Sequence, residues 1–143
     1  MDELLELRKY VEQQQYTEAL GLIAEMEEMS HHDKVNKIYS FARILLIHLI
    51  KQMAEKRTTR SWDISIKNAI EQIRRTNQHR KSAGSYLNQA ELVEIINEAY
   101  DSALSYASLE AFGGIYDETQ LGNLVDQKEI QQKALIILNI VKN

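Results

Sequence analysis

The 143-residue sequence contains no cysteine, no proline and only five glycines. Without cysteine the chain can form no disulfide, offer no thiolate to a metal and use no thiol nucleophile. Few residues in it break helices, and no Asn-Gly or Asp-Gly turn separates apolar runs that alternate with the period of a strand. These absences predict an all-α fold without a β-sheet.

Long apolar runs are also missing. The longest mostly apolar stretch, residues 41–50, contains Arg43 and His48, and the run 134–141 is shorter and interrupted by Asn139. A helix needs about 18 to 20 apolar residues to cross a bilayer. The start of the chain has neither the basic nor the apolar segment of a signal peptide. We therefore expect no membrane span and a cytoplasmic protein.

The spacing of apolar residues predicts six or seven helices in a single domain covering residues 1–143. An amphipathic helix over 2–15 precedes a second helix that runs from Thr17 to Met29. Ser30, followed by Asp33, resembles a capping box and predicts a break there. Further helices are expected after Ser61 and Asn88, each of which has a side chain suited to an N-cap, and a terminal helix is expected from roughly Asp126.

The predicted helix from Ser30 to about Lys56 is the most apolar element. Its apolar residues recur with helical spacing and then widen until they nearly encircle the axis. Such a helix has to lie at the centre of a bundle. The terminal run from Leu135 to Val141 is likewise wider than a surface helix needs, which predicts either a core element or a homodimer surface.

Three stretches together resemble a known family. They are residues 22–30 (Leu-Ile-Ala-Glu-Met-Glu-Glu-Met-Ser), residues 45–51 (Leu-Leu-Ile-His-Leu-Ile-Lys) with Arg60-Ser61-Trp62, and residues 92–107 around Ala99-Tyr100-Asp101-Ser102-Ala103. The chain is similar to small bacterial proteins, abundant in cyanobacteria, that are grouped as domain of unknown function 29. The resemblance implies an all-α bundle and brings no established activity, ligand or catalytic residue. It covers about residues 4–110, so residues 115–143 are expected to form a helical extension outside it.

His48 is the first candidate for chemistry, because a polar side chain within an apolar helix needs a partner or costs about 1 to 3 kcal/mol. One hypothesis pairs it with Glu25 or Glu28 of the preceding helix, giving an imidazole and a carboxylate for proton transfer or metal-dependent hydrolysis. The alternative is a structural histidine whose hydrogen bonds fix the register of the bundle.

Glu28 and His31 have the Glu-x-x-His spacing of di-iron bundles, which use two such motifs. Only one motif occurs, and the predicted cap at Ser30 would place its two ends on different faces. We predict no metal and no cofactor.

Residues 51–81 carry nine basic side chains against three acidic ones, a local charge of +6 in a chain of net charge −4. The remaining residues therefore carry −10, and the molecule should be electrically polar. The exposed cations predicted to bind a partner are Arg57, Arg60, Lys67, Arg74, Arg75 and Arg80. A solvated helix face or a self-complementary contact is the alternative, because Lys67, Glu71 and Arg75 have ordinary spacing for a solvated face.

These observations favour a small helical protein-protein binding or regulatory module, with a homodimer as one form of such binding. One alternative is a hydrolytic enzyme, metal-dependent or acting by acid and base, that uses His48 with a carboxylate. The other is nucleic-acid binding through residues 51–81, although no recognised nucleic-acid motif accompanies the basic side chains.

Overall fold

The computed structural model describes residues 2–78 and 84–142, and it is all-α over these ranges. The elements are α1 (Asp2–Glu12), α2 (Tyr16–Glu55), α3 (Arg60–Asn77), α4 (Gln89–Glu110), a 3-10 helix (Ala111–Gly114), α5 (Glu118–Gly122) and α6 (Gln127–Ile137). Within the described residues the only β-type pairing is an isolated bridge between Gln78 and Ser85. The predicted all-α helical fold is confirmed.

The predicted break at Ser30 is wrong, because α2 continues through it as one helix of 40 residues. Ser30 and Asp33 are exposed. In a helix interior, serine and aspartate cost only about half a kcal/mol relative to alanine. No proline or glycine follows Gly21 within α2 to stop the helix. The glutamates at 25, 27 and 28 therefore lie inside a helix and not at the end of one.

The chain divides into two compact units, one up to Val35 and one from Asn36 onward. The first unit contains α1 and the beginning of α2. Of its described residues only Ala19 is buried. This unit has almost no apolar core of its own.

The second unit contains the hydrophobic core. The later part of α2 is central to it, as predicted, and Leu45, Leu46 and Ile50 are completely buried. From α4 and α6 the core receives Ile96, Ala99, Ala103, Ala107, Ile130, Ala134 and Leu135. Each large aliphatic side chain buried in this way contributes roughly 1.5 to 3 kcal/mol. The terminal run also supplies Leu138 and Ile140 to this core, in agreement with the first of its two predicted roles.

Side-chain caps fix where the helices of the second unit begin. Asn88 and Glu91 form the predicted capping box, in which the Glu91 N–H donates to Asn88 Oδ1 at 2.8 Å. Helix α6 begins where a terminal helix was predicted, and Asp126 is its N-cap. Helix α3 begins one residue before Ser61, because Thr59 Oγ1 accepts the Trp62 N–H at 3.1 Å.

The chain turns sharply after α4. Helix α4 ends at Glu110, and the two glycines that follow, Gly113 and Gly114, both have positive φ. A Cβ at Gly114 would lie 2.8 Å from the carbonyl oxygen of Leu109, so only glycine fits there.

Among the described residues, no helix combines the length and the hydropathy that a bilayer span requires.

Candidate functional site

Two residues that carry the family resemblance, Lys51 and Trp62, meet where α2 ends and α3 begins. Lys51 Nζ lies 4.6 Å from the centre of the Trp62 ring and donates a hydrogen bond of 2.9 Å to Glu110 Oε1 on α4. We call the group formed by His48, Lys51, Glu55, Trp62 and Glu110 the junction cluster. It ties three helices of the second unit together.

Lys51 is buried, with only 6% of its side chain exposed, whereas the side chain of Glu110 is about half exposed. A buried ammonium is costly unless it is paired and hydrogen-bonded. Glu110 supplies the opposite charge, and the face of Trp62 adds a cation–π attraction. Arg57 approaches the same ring, with its Cζ 4.8 Å from the ring centre.

Glu55 fixes the turn after α4 to the end of α2. Its Oε2 accepts the Phe112 N–H at 3.1 Å, and its Oε1 accepts from Arg57 Nε at 2.8 Å. Burial by itself raises the pKa of Glu55. The hydrogen bonds from Phe112 and Arg57, with the charges of Arg57 and Lys51, outweigh burial and hold the pKa below its ordinary value. Glu55 therefore favours its ionised form, and the groups that donate hydrogen bonds to it are Phe112 N–H and Arg57 Nε.

His48 lies one turn before Lys51 on α2, and its Nδ1 is buried without a hydrogen-bond partner among the described residues. Burial lowers the pKa of His48 and the charge of Lys51 lowers it further, while Glu110 opposes this shift. These two effects favour the neutral form of the imidazole. Glu25 and Glu28 belong to the first unit and lie earlier on α2, and their pairing with His48 stays a prediction.

The continuous helix also changes the expected placement of Glu28 and His31. Because α2 has no break at Ser30, these two residues lie on the same face, contrary to the expectation. They border a shallow depression with Glu25 and His32. The described part of the chain nevertheless contains no group of three or more His, Asp or Glu side chains placed to hold a metal ion.

An open groove runs along α3 and ends against α6. Ile66, Ile70 and Ile137 supply its apolar lining, and its volume is about 610 Å³. The polar residues that border it are Asp63, Lys67, Glu71, Arg74, Arg75 and Gln78. We call this surface the α3 groove.

The cations beside the α3 groove are aligned. Arg60, Lys67 and Arg74 follow each other at intervals of seven residues and are exposed, so they form one row about 21 Å long on the helix surface. Over residues 2–78 and 84–142, none of the three makes an ion pair within 4 Å.

The two acidic residues that border the α3 groove both have partners within the protein. Glu71 forms an ion pair of 2.8 Å with Arg75, and Asp63 Oδ1 accepts from Thr58 Oγ1 at 2.7 Å. Gln52 Nε2 donates to the same Asp63 oxygen at 3.3 Å. The residues that border the α3 groove therefore carry a net charge of +1, from Lys67, Arg74 and Arg75 against Asp63 and Glu71. Lys67 and Arg74 have no ion-pair partner among the described residues.

The six predicted binding residues separate into three groups. Arg57 pairs with Glu55 in the junction, Arg80 lies outside the described residues, and the remaining four are on α3. The apolar part of the groove was not predicted from the sequence. Ile66 and Ile70 fit the inward stripe of a helix, but the structure leaves both half-exposed.

Comparison with known proteins agrees with this architecture. The chain is a small all-helical protein, and a family model described as domain of unknown function DUF29 matches its residues 6–131. The chain belongs to this family. Neither the search of curated proteins nor that of solved structures finds a match.

The family match extends further than expected. It includes α5 and the first part of α6, so the expectation that residues 115–143 lie outside the family region is wrong as far as residue 131. Leu121 of α5 and Ile130 of α6 are buried, and the Asp126 N–H donates to Met53 Sδ on α2. This segment is part of the core and not an appendage.

Proposed function

We propose that this protein is a protein-binding module whose binding surface is the α3 groove. The occupant that fits the surface best is an amphipathic helix of a partner protein, with an apolar face for the isoleucines and acidic residues beside it. A helix laid in an apolar groove is a common mode of recognition, in which a few spaced apolar side chains act as anchors.

The observation that carries this proposal is the combination of apolar lining and unpaired cations in one groove. An ordinary solvated helix face has charges but leaves few isoleucines half-exposed beside them. Here Ile66, Ile70 and Ile137 border a hollow, and Lys67 and Arg74 stand at its edge without an ion pair among the described residues. The isoleucines would supply affinity, while the cations would steer and orient an acidic partner.

The junction cluster supports this function indirectly. It fixes the start of α3 to α2 and α4 through Lys51, Trp62 and Glu110. A preformed groove binds more tightly than one that must be ordered on binding. We assign the cluster the role of holding α3 in place.

The test begins with affinity capture from native lysate after nuclease treatment. Wild-type protein is compared with Ile70→Asp, which charges the apolar lining, and with Arg74→Glu, which reverses one cation of the row. Lys128→Glu is the matched control, because Lys128 is exposed on α6 and does not border the groove. Circular dichroism confirms that each variant is folded.

We expect one protein that is retained by the wild type and the control and lost by both groove variants. The purified pair should then bind directly, with an affinity at least about tenfold weaker for Arg74→Glu. Retention of the same protein by both groove variants would refute the proposed surface. Recovery of nucleic acid alone, with binding that weakens steeply with salt, would favour the nucleic-acid alternative.

A further inference from the structure

The first unit buries almost none of its apolar side chains. Helix α1 buries no residue, and the described residues up to Val35 include only Ala19 as a buried side chain. Large apolar side chains are exposed along it: Leu4, Leu5, Val11, Tyr16, Leu20 and Met29. A helix of 11 residues is marginal in water unless a packed apolar face stabilises it. We call residues 2–35 the acidic arm.

The arm is strongly negative. It carries nine acidic residues against three basic ones, a net charge of −6. Three of its acids, Glu25, Glu27 and Glu28, are exposed and close together on α2. Within the described chain none of these three forms an ion pair. Their charge is therefore available to a positive surface.

The α3 groove has the complementary features. It offers an apolar lining to an exposed side chain such as Leu20. It also offers a row of unpaired cations to Glu27 and Glu28, which follow Leu20 by seven and eight residues and so share its face of α2. The row is about 21 Å long, and the stretch of α2 from Leu20 to Glu28 is about 12 Å long, so this stretch fits along the row. One chain thus carries both an acidic amphipathic helix and a surface suited to it.

We propose that the acidic arm of one copy docks on the α3 groove of a second copy. This inference rests on the proposed function, because it uses the same groove and identifies its occupant as the arm of another copy. Since each copy has one arm and one groove, a reciprocal exchange closes a twofold dimer with two identical contacts. Docking covers the apolar side chains of the arm and neutralises the cations of the groove.

The experiment uses the full chain in two charge-reversed forms. The arm variant carries Glu25→Lys, Glu27→Lys and Glu28→Lys. The groove variant carries Arg60→Glu, Lys67→Glu and Arg74→Glu. All six positions are exposed, so folding should be unaffected. A variant with Glu118→Lys and Glu129→Lys, exposed positions on α5 and α6, controls for added positive charge.

Sedimentation velocity across the micromolar range measures the association of each form. We expect the wild type and the control to dimerise, with an affinity that falls as salt is added. Each reversed variant alone places like charges opposite each other, so its dissociation constant should rise by at least about tenfold. An equimolar mixture of the two reversed variants should form a heterodimer, detected by native mass spectrometry, because opposite charges then meet at both contacts.

A monomeric wild type, reversed variants that dimerise as well as the wild type, or a mixture that stays monomeric would each overturn the inference. The result is separable from the proposed function. If the wild type is monomeric but the groove variant loses a foreign partner, the groove function stands and the arm has another role. If the groove mediates dimerisation and no foreign partner is captured, the self-association stands and the role in binding other proteins fails.

Discussion

Replacing Glu110 by alanine should destabilise the protein more than replacing the lysine that it binds. Glu110 accepts the hydrogen bond of Lys51 Nζ at 2.9 Å, and only 6% of the Lys51 side chain is exposed. Without Glu110 the buried ammonium keeps its desolvation cost and loses its main acceptor. With Lys51→Met the charge itself is removed, while the methylene chain still packs beside Trp62.

The expected loss in the free energy of unfolding follows from the exposure of Lys51 and Glu110. Removing one member of a fully buried ion pair costs about 3 to 5 kcal/mol. Glu110 is half exposed, and Glu55 remains near Lys51 as a second negative charge, so the cost should be lower. A charge-assisted hydrogen bond is worth about 1.5 to 3 kcal/mol, and we expect about 2 kcal/mol for Glu110→Ala. This corresponds to a fall in melting temperature of about 4 to 8 °C.

The assay is a double-mutant cycle in urea, with unfolding followed by far-UV circular dichroism. We expect Lys51→Met to change the free energy of unfolding by less than about 1 kcal/mol. The double variant should resemble Lys51→Met, because Glu110 has no buried charge left to compensate, and the coupling energy should be about 2 kcal/mol. The reasoning fails if Glu110→Ala costs less than about 0.5 kcal/mol, as for a surface pair, or if Lys51→Met is the costlier change.

Three further predictions concern single positions. Gly21→Ala should raise the free energy of unfolding by up to about 1 kcal/mol, since nothing lies within 4 Å of an added Cβ. Gly114→Ala should lower it by more than about 1 kcal/mol, because a Cβ would meet the Leu109 carbonyl and φ is +80° there. Urea unfolding of the two variants checks that the two changes have opposite signs. Asn88→Ala removes a capping box and should cost about 1 kcal/mol, measured as a lower melting temperature. The pKa of His48 is lowered from 6.5 in the folded state, so the unfolded chain binds the proton more readily and stability should fall as pH drops below about 6.5. His48→Gln should flatten this part of the stability profile, and an unchanged slope would exclude His48 as its source.

The fold was largely predictable because the sequence has few residues that stop helices. Apolar spacing located the central part of α2 and the start of α6, and the cap at Asn88 was found from residue type and spacing alone. The false break at Ser30 shows the limit of this reasoning. A serine followed by an aspartate has the same sequence pattern at a helix N-cap and in a solvated helix interior. Only contacts with neighbouring residues decide which of the two structures forms.

The candidate sites were only partly predictable. The cations on α3 could be counted from the sequence, but pairing could not, since it depends on contacts such as Glu71 with Arg75 or Glu55 with Arg57. The junction cluster also escaped prediction, because Lys51 and Glu110 are far apart in sequence. The position of Lys51 directly after an apolar stretch was the available sign that this lysine is buried. Helical spacing alone did not reveal Glu110 as its partner.

The central claim is that the α3 groove contacts another protein chain, and site-specific photo-crosslinking tests it most directly. A photo-crosslinking amino acid is placed at position 70, inside the groove, and in a control at position 133, which is exposed on α6 and does not border it. After irradiation in native cells, we predict one discrete protein adduct from position 70 and none from position 133. No adduct at position 70, or the same adducts from both positions, would contradict the claim.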